Sequence, residues 1–436
     1  MYHGTVQTAI RELNGVTVMA DKFDIYVGSE VGRLTGVMLH DPGPEVSNMT
    51  PETAERALYS DILNLTVATE EYRQLRGVLS RRAQVFQVRD LLTEIMSNSR
   101  VRGGMVRRIC EAEGVPEIAS DLLKLESSEL SRLLIEGVPL VKDNLSRFLS
   151  RDRYSLPPLH NFFFTRDSAV TIRDKVLISR MANRVRGRET RIVESIFDYH
   201  PAFNARTVNP ARLGATGPDV TIEGGDILVA SPEILIIGIG ARTTAKAVDF
   251  LIERIKDLGY RQHILVQQLP HTPESFIHLD MVFTFLDTNC CMVYEPVIMD
   301  THHFDTVHVE IDRGQVVSIT EEDNLLSALG KLGMEMKAVV CGGPEDRWIQ
   351  EREQWHSGAN FFALEPGQII GYGRNQHTAE ELSKAGFEII SANDVIDGKV
   401  DLDETGRCLV TIDGSELARG GGGCRCMTMP LGREEI

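Results

Sequence analysis

Three observations predict an α/β fold for this chain: a strand, helix, strand order near its start, the return of that order after a stretch of helix-type sequence, and one strand, turn, Arg, Thr, helix arrangement that occurs three times. Residues 1–21 carry no clear turn chemistry and read as a poorly ordered N-terminal extension, 1–22, with order beginning at Phe23. The run Gly36-Val37-Met38-Leu39-His40 reads as a strand stopped by the turn Asp41-Pro42-Gly43-Pro44. An amphipathic helix is expected over 51–82 and a second strand over 83–88. Between 91 and 151 Leu, Ile, Glu and Arg recur at helical spacing, as in Leu122, Leu123, Leu125, Leu130, Leu133 and Leu134, which predicts a helical insert. From Leu156 onward β-branched and aromatic runs return. Here Lys175-Val176-Leu177-Ile178, Glu233-Ile234-Leu235-Ile236-Ile237 and Gln368-Ile369-Ile370 lead in turn to Arg186 and Thr190, to Arg242 and Thr243, and to Arg374 and Thr378. Self-similar units of this kind predict a pseudo-repeat closing on a central axis.

Composition narrows the function. The 436 residues, 42% hydrophobic and 25% charged, fit one large globular domain or a domain carrying an insertion. A formal net charge of -17 argues against nucleic acid as the main partner, because a phosphate backbone is held by Lys and Arg, but it is compatible with a cationic small molecule. The 7 cysteines are odd in number and widely spread, which argues against a disulfide framework. No charged-then-apolar signal opens the chain and no apolar run approaches the ~20 residues of a membrane helix, so a protein of the reducing cytoplasm, with no membrane partner, is expected.

Four segments carry chemistry. Gly420-Gly421-Gly422-Gly423-Cys424-Arg425-Cys426 places thiols behind four glycines, a loop able to bring sulfur and backbone close to a ligand; a flexible tail is the plainer reading of the same run. His278-Leu279-Asp280-Met281-Val282-Phe283-Thr284-Phe285 alternates polar and apolar residues, so as a strand it would put His278 and Asp280 on one face. Glu223-Gly224-Gly225-Asp226 sets two carboxylates around a glycine pair ahead of the apolar strand Ile227-Leu228-Val229; a solvated tight turn is the alternative. Asn161-Phe162-Phe163-Phe164-Thr165-Arg166-Asp167 ends a core aromatic run in a charged pair, with Asp167 bridged to Arg166 or available to a ligand. A thiol, a His, several carboxylates and several arginines together fit attack on a guanidinium carbon. Carboxylates match the N–H edges of that planar cation, thiolate is the strong nucleophile, and His moves the protons.

These segments resemble the arginine deiminases, of the guanidino-group-modifying superfamily, from about Tyr26 to Pro430. The resemblance rests on N-x-x-F-T-R-D at 161–167, E-G-G-D at 223–226, H-L-D at 278–280 and C-M-[ST]-M-P at 426–430, and extends to Glu351-Arg352-Glu353-Gln354-Trp355 and Gly358-Ala359-Asn360. It implies a catalytic domain over 23–436, a five-unit α/β propeller of pseudo-fivefold ββαβ units with an α-helical bundle inserted at 91–151. It further implies Cys426 as nucleophile and His278 as general acid and base, with Asp167 and Asp280 gripping the guanidinium. Glu223 would orient His278, Asp226 would shape the same loop, and Arg186, Arg242 and Asn161 would meet the substrate α-carboxylate. The implied reaction is hydrolysis of L-arginine to L-citrulline and ammonia through a Cys-linked S-amidino intermediate, with no metal or organic cofactor, in a homo-oligomer of two or more copies.

Two residues depart from the family pattern. Gly421 stands where many members carry Arg, which would weaken carboxylate binding or alter the loop; Cys424 stands where Pro or Gly is usual, and is either inert or a redox partner for Cys426. Three rival readings remain. A metal hydrolase would use the ligand-rich stretch of Thr301, His302, His303, Asp305, His308 and Glu310. The others are a silent arginine-binding scaffold and a related guanidine hydrolase acting on another carboxylate-bearing substrate.

Overall fold

The structure, a computed structural model, describes residues 8–13, 16–51, 59, 61–215, 217, 219–300 and 303–436. Among these residues one connection pattern recurs in five small sheets: an antiparallel strand pair, a helix, and a third strand parallel to the second. The first unit joins the two ends of the chain, because Met429–Arg433 pairs antiparallel with Leu34–Leu39, to which Gln84–Gln87 is then added in parallel. In the second unit Ala169–Ile172 and Lys175–Ile178 pair, the helix Gly187–Tyr199 follows, and Arg206–Val208 returns. The third has Ile227–Ser231, Ile234–Ile239 and Gln262–Gln268, widened by the hairpin of Thr306–Asp312 and Gln315–Glu322. Phe283–Asp287, Cys290–Val293 and Lys337–Val340 make the fourth. The fifth consists of Phe362–Glu365, Gln368–Tyr372 and Cys408–Ile412, with Glu388–Ser391 outside. The sequence repeat, seen three times, is thus the visible part of a pattern used five times.

Local chemistry accounts for the elements. Helix Leu65–Arg82 starts where the Asn64 side chain accepts from the backbone N–H groups of Thr66 and Val67, and it buries Ala68, Tyr72, Leu75, Val78 and Leu79 at helical spacing. The expected helix over 51–82 is therefore broken at 61–64, and 52–58 and 60 lie outside the described residues. Within the expected insert, Val88–Met96, Ser99–Glu113 and Ser127–Glu136 pack Leu92, Ile95, Val106, Ile109, Leu130 and Leu134 into one apolar cluster. The first of these helices begins directly after Gln87, with no intervening loop. Within the expected N-terminal extension, Thr8–Leu13 and Val16–Asp21 pair antiparallel, while 1–7 and 14–15 lie outside the described residues. Among the described residues no helix is long and apolar enough to cross a membrane.

The segment His278-Leu279-Asp280 corrects its sequence reading. It is not strand but the start of a 3-10 turn, Leu279–Met281, and the strand begins only at Phe283. The Asp226 carboxylate accepts from the Leu279 backbone N–H at 2.9 Å and holds the turn, a tertiary contact that overrides the alternating pattern.

Candidate active site

The segment leading into the first strand of each unit supplies Asn161 and Asp167 in one, Glu223 and Asp226 in the next, then His278 and Asp280, then Asn360, and Cys426 in the last, while Arg186 and Arg242 follow the second strands of their units. Glycine allows these loops to touch. A Cβ on Gly225 would sit 2.5 Å from His278 Nδ1, and one on Gly422 would sit 2.6 Å from the Phe164 ring, so neither position accepts a side chain without displacement.

Asn360 Nδ2 lies 3.2 Å from Cys426 Sγ and donates to it, while the Asn360 Oδ1 accepts from the backbone N–H of Arg425 at 2.8 Å and of Cys426 at 3.3 Å. The thiol lies 3.6 and 3.7 Å from the two Asp280 carboxylate oxygens. Burial first, then Asp280 and Asp167, push the Cys426 thiol well above its ordinary range despite the opposing Arg425, so in the free protein it stays protonated at neutral pH. His278 Nε2 lies 2.9 Å from Glu223 Oε2, and Nδ1 lies 3.5 Å from Asp167 Oδ1. Burial pulls the imidazole down, but Asp167, Glu223 and Asp226 outweigh it and push His278 up to about 9. Although burial opposes it, the bond to His278, helped by Arg242 and Arg186, holds the Glu223 carboxyl down at about 2. Burial raises Asp226 to about 7.

A cavity of about 400 Å³ opens beside these groups and is lined by Cys426, Asp167, Asn161, Phe164, Arg186 and Arg242, with Trp355, Arg419 and Gly421 among the rest. His278, Glu223, Asp226 and Asp280 are not in this lining; they are buried next to it, reaching it through Asp167 and Cys426. Asp167 does not pair with Arg166. Its Oδ2 accepts from Arg186 Nη1 at 2.5 Å, whereas Arg166 donates weakly to the Arg425 carbonyl at 3.4 Å. Arg186 also donates to both oxygens of Glu189, so its guanidinium is held from two sides. Arg242 has a looser setting, with Nη1 3.9 Å from Glu223 Oε1. The third repeated arginine, Arg374, donates to the Gly414 carbonyl at 2.9 Å and the Ser415 carbonyl at 3.1 Å and is not part of the cavity. Asp167 Oδ1 and His278 Nδ1 are buried without a hydrogen-bond partner among the described residues. Among the described residues no three or more His, Cys, Asp or Glu side chains are placed so that they could hold one metal ion; of the ligand-rich stretch, Thr301 and His302 lie outside them.

The arginine deiminase family model matches residues 55–433. The chain belongs to the arginine deiminase family. Family relatives include the arginine deiminase of Bacillus cytotoxicus, 32% identical, with 95% of this chain and 100% of that one covered. The arginine deiminase of Rhodococcus erythropolis is also 32% identical, over 94% of this chain and 98% of that one. Among solved structures the fold is shared with SxtG, an amidinotransferase from Microseira wollei, at a TM-score of 0.52 and 13% identity, covering 95% of this chain and 98% of that one. It is shared as well with the N-terminal domain of ArgZ, a cyanobacterial arginine dihydrolase, at a TM-score of 0.51 and 13% identity, covering 92% of this chain and 99% of that one. The chain thus has a mixed α/β fold shared with these two enzymes.

Both departures from the family pattern have a physical setting. Gly421 adopts φ 81°, the left-handed region, at the end of the 3-10 turn Leu417–Gly420, with open space around a would-be Cβ; an Arg there would fit but be strained. Cys424 is a free, fully buried thiol in the apolar core, pushed far up by burial. Three further buried residues, Asn360, Arg425 and Glu30, are joined to the site by the structure alone. Asn360 ends the family-like Gly-Ala-Asn and Arg425 stands inside the glycine-rich thiol segment, but neither pattern gives them a role, and nothing around Glu30 marks it.

Proposed function

We propose that this protein hydrolyses L-arginine to L-citrulline and ammonia, with Cys426 as nucleophile and His278 as general acid and base. The observation that carries this reading is the buried Asp167 Oδ1 beside the thiol and the cavity, an acceptor that receives no hydrogen bond among the described residues and whose ion-pair neighbour, His278 Nδ1, stands off at 3.5 Å. An unsatisfied buried acceptor costs about 1–3 kcal/mol, and a guanidinium N–H would relieve it. Asp280, 3.6 Å from the sulfur, would take the other N–H edge, and Arg242, Arg186 and Asn161 would receive the α-carboxylate.

The cation brought by arginine offsets Asp167 and Asp280, the two charges that hold the thiol proton on, and so favours thiolate. The sulfur lone pair forms the C–S bond. As the tetrahedral centre collapses, the C–N bond breaks, and His278, protonated below about 9, gives its proton to the departing ammonia. The neutral imidazole then takes a proton from water and the hydroxide adds to the S-amidino carbon; cleavage of the C–S bond returns the thiolate beside the imidazolium, and the hydroxyl proton leaves to solvent, where it joins the ammonia as ammonium, to give citrulline. Glu223 orients His278 and balances its charge through the 2.9 Å contact, and Asp226 braces the turn behind it. The scheme draws on side chains alone.

The alkaline limb of the kcat/KM profile for citrulline release is expected near pH 9, where His278 loses its proton. Because Glu223 favours the imidazolium, Glu223→Gln moves that limb to lower pH. A limb unmoved in the variant would remove His278 as the acid. The function itself is tested by assaying the purified protein under reducing conditions with chelator, on L-arginine and on agmatine. Equimolar citrulline and ammonia from arginine, with agmatine inert, is the expected result. Arginine binding without turnover, or loss of activity to chelator, would overturn it.

The equivalent placement of Asp167, Glu223, His278, Asn360 and Cys426 ahead of their units' first strands, with Arg186 and Arg242 each following a second strand, supports an arrangement of the five ββαβ units around a central axis as an α/β propeller. The same reading assigns 23–436 to the catalytic domain with 91–151 as its helical insert and 1–22 as an extension. It places the protein in the cytoplasm as a homo-oligomer.

A further inference from the structure

Arg425 precedes the candidate nucleophile, is 1% exposed, and does not line the cavity. Its guanidinium is nevertheless saturated. Nε and Nη2 clasp Glu30 Oε2 and Oε1, each at 3.0 Å; Nη2 also donates to the Ile227 carbonyl at 2.8 Å; Nη1 donates to Asp280 Oδ2 at 2.8 Å and reaches the Gly225 carbonyl at 3.5 Å. Glu30 Oε1 accepts in addition from the Val229 backbone N–H at 3.2 Å. One buried fork therefore ties the segment before Leu34–Leu39, the strand after Glu223, the Asp280 turn and the thiol loop to a single point.

Stability is a poor reason to bury such a triad, since replacing buried ion pairs by apolar groups of similar volume is often neutral or stabilising. Geometry is a better one. Asp280 has one oxygen fixed by Arg425 and both oxygens within 3.7 Å of the sulfur, so the fork sets where that carboxylate stands relative to the thiol. We propose that Glu30, acting through Arg425, is a positioning residue that holds Asp280 and Cys426 in register for attack on the guanidinium carbon. The inference rests on the deiminase reading above and adds to it two residues that touch no substrate.

The charges around the pair set the expected behaviour. Cys426 faces Asp280, Asp167 and Arg425, while Arg425 faces Glu30 and Asp280, with Arg166 and Arg433 nearby. Removing the Arg425 cation leaves two carboxylates opposing thiolate formation, so the thiol ionises at higher pH. A misplacement of reacting groups by about 1 Å costs ~100-fold in rate, so kcat falls much further than KM rises.

The test compares wild type, Arg425→Lys, and the double variant Glu30→Gln/Arg425→Met, in three readouts on the full chain: thermal unfolding, steady-state kinetics on arginine, and the pH dependence of Cys426 alkylation by iodoacetamide without substrate. The double variant is expected to unfold cooperatively like wild type, to lose about 100-fold in kcat with KM changed less than about fivefold, and to be alkylated only at higher pH. Arg425→Lys keeps the charge but not the fork, and is expected to recover the alkylation profile and part of kcat. A folded double variant with wild-type kcat and alkylation profile overturns the proposal. Should the double variant fail to fold, Arg425→Lys decides alone, and wild-type kcat in it overturns the proposal. Alkylation needs no turnover, so a wild type that releases no citrulline would sink the deiminase reading and still leave the positioning role tested.

Discussion

Cys426→Ser is expected to remove citrulline release almost completely while leaving the fold intact. The sulfur sits in a slot made by Asn360, Asp280 and Met281, and serine occupies that space without a clash. Its hydroxyl is a far weaker acid than a thiol, and the same burial and carboxylates that hinder thiol ionisation act on it. Loss of a nucleophile acting in concert with its acid and base costs ~10⁴-fold or more in kcat. The check is kcat together with the thermal midpoint: the first collapses, the second stays within a few degrees. Residual activity within about tenfold of wild type would remove Cys426 as the nucleophile.

His278→Ala is expected to damage both rate and stability, unlike the serine variant. The imidazolium pairs with Glu223 at 2.9 Å and approaches Asp167 at 3.5 Å, all of them buried. Its removal takes away the proton donor for ammonia, worth about 10²–10⁴-fold in rate. It also leaves Glu223 as a buried carboxylate held by the Ala182 N–H at 2.8 Å and by Arg242 at 3.9 Å, with Oε2 stripped of its partner, and breaking a buried pair in this way costs about 3–5 kcal/mol. Denaturant unfolding curves and citrulline assays under folding conditions separate the two losses. A variant as stable as wild type would mean that the His278–Glu223 contact is worth little, and one as active would mean that another group delivers the proton.

What was legible from the sequence followed from short-range pattern and chemistry. Leucines at helical spacing between 91 and 151 marked the helices that pack there, and strand, turn and helix order marked three of the five units. The first unit was not legible as one, because its two paired strands lie at opposite ends of the chain, Leu34–Leu39 and Met429–Arg433, and no local signal records that pairing. His278 and Asp280 stood out through an alternation that is in fact a 3-10 turn held by Asp226; the turn, not a strand face, sets His278 against Glu223 and Asp280 against the thiol. Arg186 stood out through the repeated strand, turn, Arg arrangement and lines the cavity, but its grip on Asp167 and Glu189 is tertiary. Asn360, Glu30 and Arg425 escaped because a lone amide or charge becomes meaningful only when its partner, 65 to 395 residues away, is seen beside it.

The central claim is a covalent intermediate on Cys426, and rapid acid quenching of the enzyme during arginine turnover, followed by mass analysis of the intact chain and its peptides, tests it most directly. The account predicts a transient species heavier by arginine minus ammonia, located on the peptide that contains Cys426 and absent from Cys426→Ser. Citrulline formation with no adduct at any time, or an adduct that maps to Cys424, would contradict it.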